Sequence, residues 1–189
     1  MRNRKSVVLL LVVVVVVIIV LWFMHAQSPS SSKKLLGLEK SGETRVGPAD
    51  IYPDPERTPS ATNPDITQDN IEKTICNPRW STKSIRPPAS YTNHLKVEQV
   101  REYRYSDSIL KDYEEDHFIP LELGGNPIDP RNLWPEPFET SRPDGGAHYK
   151  DKVENYLHAQ VCAGSLTLEE AQKEITGDWY RVYMTSVPH

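Results

Sequence analysis

Asp116 and His117 stand side by side, and Asn132 follows fifteen residues after the histidine. Between them lie Gly124-Gly125, Pro127 and Pro130, a run of turn formers. Hydrolysis of a phosphodiester by water needs a base for the nucleophile. It also needs positive charge for the phosphorane and the leaving oxygen. A neutral imidazole suits the first task near neutral pH. A divalent ion held by carboxylate and imidazole suits the second. Neighbouring side chains on a strand point to opposite faces. The pair therefore fits two tasks, with Asp116 reaching an ion and His117 reaching a water. Asn132, on the opposing strand, is placed to pin the turn and orient the imidazole through its amide.

A helix downstream supplies more ligands. At about 100° per residue, Asp151, Glu154 and His158 share an arc of about 60°. Glu154 and His158 are four apart, a spacing at which two side chains meet one ion. Lys150 flanks that arc, and Arg131, Lys150 and Lys152 are the candidate phosphate contacts. Each feature alone has an ordinary meaning: a hydrogen-bonded hairpin histidine, a solvated helix face, a turn asparagine. Their occurrence together and in order carries the chemical reading.

These side chains need a scaffold. Residues 116–119 and 132–134 read as two short strands around a long turn. Residues 147–161 form the clearest helix, with Tyr149, Val153 and Tyr156 as its apolar stripe and Leu157 and Val161 at the edge. Gly164 ends it. Thr167 and Glu170 make a capping box for a last helix reaching about residue 184, with Leu168, Ala171, Ile175, Trp179 and Val182 on one side. Upstream, 67–76 reads as a short helix capped by Thr67, with Ile71 and Ile75 inward. Residues 91–105 are loosely helical. The expected class is α+β: a hairpin-plus-helix core with flanking helices.

The stretch D-H-x-x-P-L-x-L-G-G-x-P-x-x-x-x-N-L, Asp116 to Leu133, resembles the first two-thirds of the HNH endonuclease motif. The resemblance covers roughly residues 112–160. It implies a ββα-metal fold, with His117 as general base, Asp116 as metal ligand and Asn132 holding hairpin and base in place. It implies a divalent cofactor, Mg²⁺ first, with Zn²⁺ and Mn²⁺ as alternatives. The histidine that opens the family's helix has no counterpart: Ala147 stands at that place and His148 is one residue out of register. Asp151, Glu154 or His158 would then complete the metal set from the same helix. The family's paired C-x-x-C knuckles are absent, and a single Cys76–Cys162 bridge would take over their stabilising role.

The chain's 189 residues open with Arg2, Arg4 and Lys5 before an apolar run from Val7 to Met24. As a helix that run spans about 27 Å, near a bilayer's hydrocarbon thickness. Residues 1–26 are expected to anchor the chain in a bilayer, through 7–24, or to be a cleaved signal. Both place the remainder outside the cytoplasm. Residues 27–64, rich in Ser and Pro, read as a flexible linker, and 65–189 as the globular domain. Beyond residue 27 there are 19 basic and 26 acidic residues, a net charge of −7. That balance disfavours broad nucleic-acid adhesion and confines any phosphate contact to one groove. Cys76 and Cys162 are the only cysteines, and in an exported domain such a pair is expected to be a disulfide. A non-catalytic envelope module that keeps the scaffold and binds a protein or polyanion is the alternative. Composition leaves oligomeric state open.

Overall fold

The computed structural model describes residues 51–188. They form an α+β fold: helix α1 (Ala89–Tyr103), an antiparallel hairpin of β1 (Tyr113–His117) and β2 (Leu133–Pro137), then helices α2 (Ala147–Cys162) and α3 (Leu168–Ser186). The membrane segment expected at 7–24 lies outside the described residues. Among those described, no helix is long and apolar enough to cross a membrane.

The strands sit earlier and later, respectively, than their sequence pattern suggests. Tyr113 pairs with Pro137 and His117 with Leu133. Asn132 is not a strand residue, because both ends of its amide are committed to the turn. Its Nδ2 donates to the Ile119 and Asn126 carbonyls (3.0 and 3.1 Å), and its Oδ1 accepts from the Ile119 N–H (2.9 Å). Ile119 is thereby drawn out of strand pairing. Gly124 adopts φ +74°, and a Cβ on Gly125 would collide with the Ile119 carbonyl. The double glycine meets two different demands, a left-handed turn and a close backbone approach.

Two apolar clusters flank the hairpin. One gathers Val100 and Tyr103 of α1 with Tyr105, Tyr113, Phe118 and Trp134. The larger joins Val153, Leu157 and Val161 of α2 to Ala171, Ile175 and Trp179 of α3. The buried stripe of α2 is Ala147, Lys150, Val153, Leu157 and Val161. It is turned by about one residue position, about 100°, from the expected one. Tyr149 and Tyr156 lie at its margin, where Lys152 covers the Tyr149 and Tyr183 rings. Helix α3 starts at the capping box of Thr167 and Glu170 and is broken at Asp178 (φ −148°). There Asp178 Oδ1 accepts from the Arg181 N–H, recapping the second half.

Residues 51–64, expected as linker, are packed. Ile51 is buried and its carbonyl accepts from Trp179 Nε1 (3.0 Å). Thr58 Oγ1 meets the Tyr103 hydroxyl at 2.6 Å, and the Ser60 N–H donates to the Arg131 carbonyl. Low apolar content misled here: directed hydrogen bonds and one isoleucine hold the segment. The element expected at 67–76 is a 3-10 helix, Gln68–Lys73, whose Thr67–Asn70 box caps its start. The chain leaves it at Thr74 and runs to Cys76, which is bonded to Cys162 with Cα atoms 5.3 Å apart. The bridge closes a loop across 86 positions and ties the end of α2 to this segment. Replacing both cysteines with serine is expected to lower unfolding free energy by about 2–4 kcal/mol. A lower urea midpoint is the check, with a slope that rises as the unlinked denatured chain expands.

Candidate functional site

The junction of hairpin and α2 holds a buried charge cluster. Glu114 opposes Glu136 and Asp116 opposes Trp134, so Asp116 and Glu136 are diagonal neighbours on one sheet face. Lys150, on α2, sends its ammonium into that face and is only 1% exposed. Nζ lies 2.5 Å from Asp116 Oδ2, 2.5 Å from Glu154 Oε1 and 3.1 Å from the His117 carbonyl oxygen. Three N–H bonds therefore meet three acceptors. Glu136 Oε2 is a fourth neighbour at 3.8 Å, and Glu136 is itself 1% exposed.

One ammonium balances one carboxylate. Burial works against the Lys150 charge, but Asp116, Glu154 and Glu136 outweigh it and hold its pKa well above the usual range. Burial would raise Asp116, yet the lysine beside it keeps its carboxyl below the ordinary value. The other two acids follow burial. Glu136 is pushed well up by its burial, and a carboxyl–carboxyl hydrogen bond with Asp116 raises it further while lowering Asp116. Glu154 is raised to about 8 against the pull of Lys150. Burial thus favours the protonated forms of Glu136 and Glu154, while Lys150 favours the ionised form of Asp116.

His117 faces another way. Its Nε2 lies 3.0 Å from the Pro127 carbonyl, an acceptor only, so that nitrogen carries the proton and Nδ1 is bare in the neutral ring. The residue is 3% exposed; burial depresses its pKa, against the opposing pull of Asp116. The Asn132 amide bonds backbone groups and not the ring. It clamps the turn whose Pro127 carbonyl fixes the tautomer.

A comparison with models of known protein families, with curated proteins and with solved structures finds no match.

The remaining predicted site residues disperse. Asp151 is exposed and pairs with His148 at 3.8 Å. His158 Nε2 bonds the Ile75 carbonyl (2.8 Å) and lies 3.4 Å from Cys162 Sγ. Cys76, His158 and Cys162 gather as a metal-ligand triad would, but the two sulfurs are bonded to each other and offer no thiolate. Arg131 is occupied by Asp129, at 2.6 Å. Lys150, expected at the surface as a phosphate contact, is buried. Of the expected metal set, the fold unites Asp116 and Glu154 alone and adds Glu136.

A divalent ion does not fit this cluster as folded. The point where the carboxylates converge is held by Lys150 Nζ, which uses the near oxygens of Asp116 and Glu154. Mg²⁺ requires near-octahedral oxygen ligands and retained water, and the lysine side chain is 1% exposed.

Sequence reasoning also missed a groove beside β1. It has a volume of about 400 Å³ and is lined by Arg86, Lys96, Lys111, Tyr113, Glu114 and Glu115, among others. Burial, with Asp116 nearby, raises Glu115 to about 9, and its oxygens lack partners. Arg86, Lys96 and Lys111 thus line the groove beside Glu114 and Glu115, and Lys96 Nζ donates to the Tyr113 carbonyl (2.8 Å). The Arg86 charge is also felt at His117, Glu114 and Glu122. Nothing in the local pattern around Ser84-Ile85-Arg86-Pro87 marks that arginine; it is brought in by the tertiary fold.

Proposed function

We propose that this domain is a phosphodiester hydrolase of HNH type, acting outside the cytoplasm on a chain anchored through residues 7–24. The observation that carries the reading is the His117 imidazole: buried, held below the usual histidine pKa by that burial, and bonded through Nε2 to the Pro127 carbonyl, which leaves Nδ1 as a base. Asn132 positions it by clamping the turn. The β1 groove supports a polyanionic substrate, and Arg86, which lines it, exerts the largest electrostatic effect of any cation on His117. In this account His117 Nδ1 takes a proton from the attacking water, and Arg86 meets charge growing on phosphorus-bound oxygen. The disulfide agrees with an oxidising compartment. The overall acidity agrees with phosphate contact confined to one groove.

A second reading, a non-catalytic envelope module binding a protein or polyanion, is favoured by one observation. The ion position of the hairpin-helix unit is filled by a lysine. The experiment separating the two is cleavage of plasmid and of a chromogenic phosphodiester by the full-length chain, beside His117→Ala. The hydrolase reading expects the variant to be about 10²–10⁴-fold slower. It also expects an acid limb below the usual histidine pKa, since burial lowers that of His117 and the base must be unprotonated. Equal rates, or none in either protein, leave the binding module.

A further inference from the structure

We infer that Lys150 is the resident cation of the hairpin-helix site, standing on the ion position and excluding divalent metals from the Asp116–Glu154 pair. The inference concerns binding and holds whether or not the site hydrolyses anything.

Three observations converge on it. The ammonium's hydrogen-bonding capacity is filled by Asp116, Glu154 and the His117 carbonyl, the set an ion bridging the strand and helix would need. The Lys150 side chain is 1% exposed, and Asp116 and Glu154 are each 15% exposed in their side chains, so neither ion nor water shell has room beside Nζ. Glu136 brings a third carboxyl to 3.8 Å from Nζ. Three carboxyls around one point are a hard-cation cage. Here the protein fills the cage with its own charge.

The charge is tethered by position as well as by contacts. Lys150 lies at the centre of the buried stripe of α2, between Ala147 and Val153, so its stem packs in the core. It is four residues before Glu154 on the same face. Withdrawal of Nζ would leave Asp116 buried without a counter-charge, and the lysine would have to drag its stem out of the apolar cluster. A tethered ammonium also acts at high effective concentration, which a free ion must overcome.

The test is Mn²⁺ titration of the full-length chain in detergent, followed by calorimetry and by thermal midpoint, for wild type, Asp116→Asn and Lys150→Ala. Wild type is expected to bind no Mn²⁺ at the cluster, its midpoint unmoved by millimolar ion. Lys150→Ala is expected to bind one Mn²⁺ and to gain several degrees. Wild-type binding of one ion that is lost in Asp116→Asn overturns the inference. So does a folded Lys150→Ala, by circular dichroism, that binds none. Should Lys150→Ala not fold alone, Lys150→Ala/Glu136→Gln removes one buried acid from the cluster. Mn²⁺-dependent folding of either variant supports the inference, and failure of the ion to rescue either overturns it.

Discussion

Lys150→Met is expected to destabilise the domain by about 3–5 kcal/mol at neutral pH, the cost of leaving a buried carboxylate without its counter-charge. Methionine keeps most of the stem's volume, so the loss reports charge rather than a cavity. The pH profile separates the two causes. In wild type the folded-state pKa of Asp116 lies below its unfolded value. Its contribution is therefore present above the unfolded pKa and is lost as pH falls through the folded one. In the variant nothing holds Asp116 down, and burial raises it like Glu136 and Glu154. A raised carboxyl has its stability below the unfolded pKa and loses it as pH rises toward the folded one. For Glu154 in wild type, with Lys150 pulling it down, that window runs from its ordinary value to about 8, and without the lysine it reaches higher. The gap between wild type and variant should thus widen from mild acid to pH 8 and narrow toward pH 4. Urea unfolding at several pH values measures it. A gap constant with pH would mean that Lys150 contributes packing alone.

Asn132→Ala is expected to cost about 3–5 kcal/mol. Its side chain is fully buried and serves the Ile119 N–H, the Ile119 carbonyl and the Asn126 carbonyl at 2.9–3.1 Å. Each backbone group left buried without a partner costs about 1–3 kcal/mol. The second consequence is at His117. The turn released by the substitution carries Pro127, whose carbonyl holds His117 Nε2–H. Nitrogen-15 NMR of the histidine should show one tautomer in wild type and a mixture in folded Asn132→Ala. Hydrolysis should fall in the variant without loss of substrate binding. A stability loss with an unchanged His117 tautomer would confine Asn132 to a structural role.

How far these features are legible in the sequence varies by residue. Capping and turn chemistry act locally, so the Thr167–Glu170 box, the helix end at Gly164 and the glycine-rich turn are readable from their own neighbours. The Cys76–Cys162 bond follows from there being no third cysteine. The class, α+β with a hairpin followed by a helix, follows from the periods of the segments. The site was harder. A lysine is normally a surface residue, and that prior placed Lys150 beside the polar arc of α2. Its phase was available: it falls with Val153, Leu157 and Val161 on one side of the helix, and Glu154 stands four residues on. The partner that makes burial tolerable, Asp116, is 34 positions away. Glu136 lies in Trp134-Pro-Glu-Pro137, which local pattern marks only as a proline-rich insert. His158 fits a metal-ligand spacing within its helix, yet the Ile75 carbonyl takes it elsewhere. Such choices are set by tertiary neighbours, which spacing along one helix does not encode.

An imidazole base beside a cation carried by the protein itself would need no free metal ion, and cleavage of plasmid in excess chelator decides whether that is so. The full-length wild-type chain is predicted to nick DNA at the same rate with and without EDTA, while His117→Ala does not nick in either. Nicking that appears only on adding Mg²⁺ or Mn²⁺, or that survives the loss of His117, would contradict it.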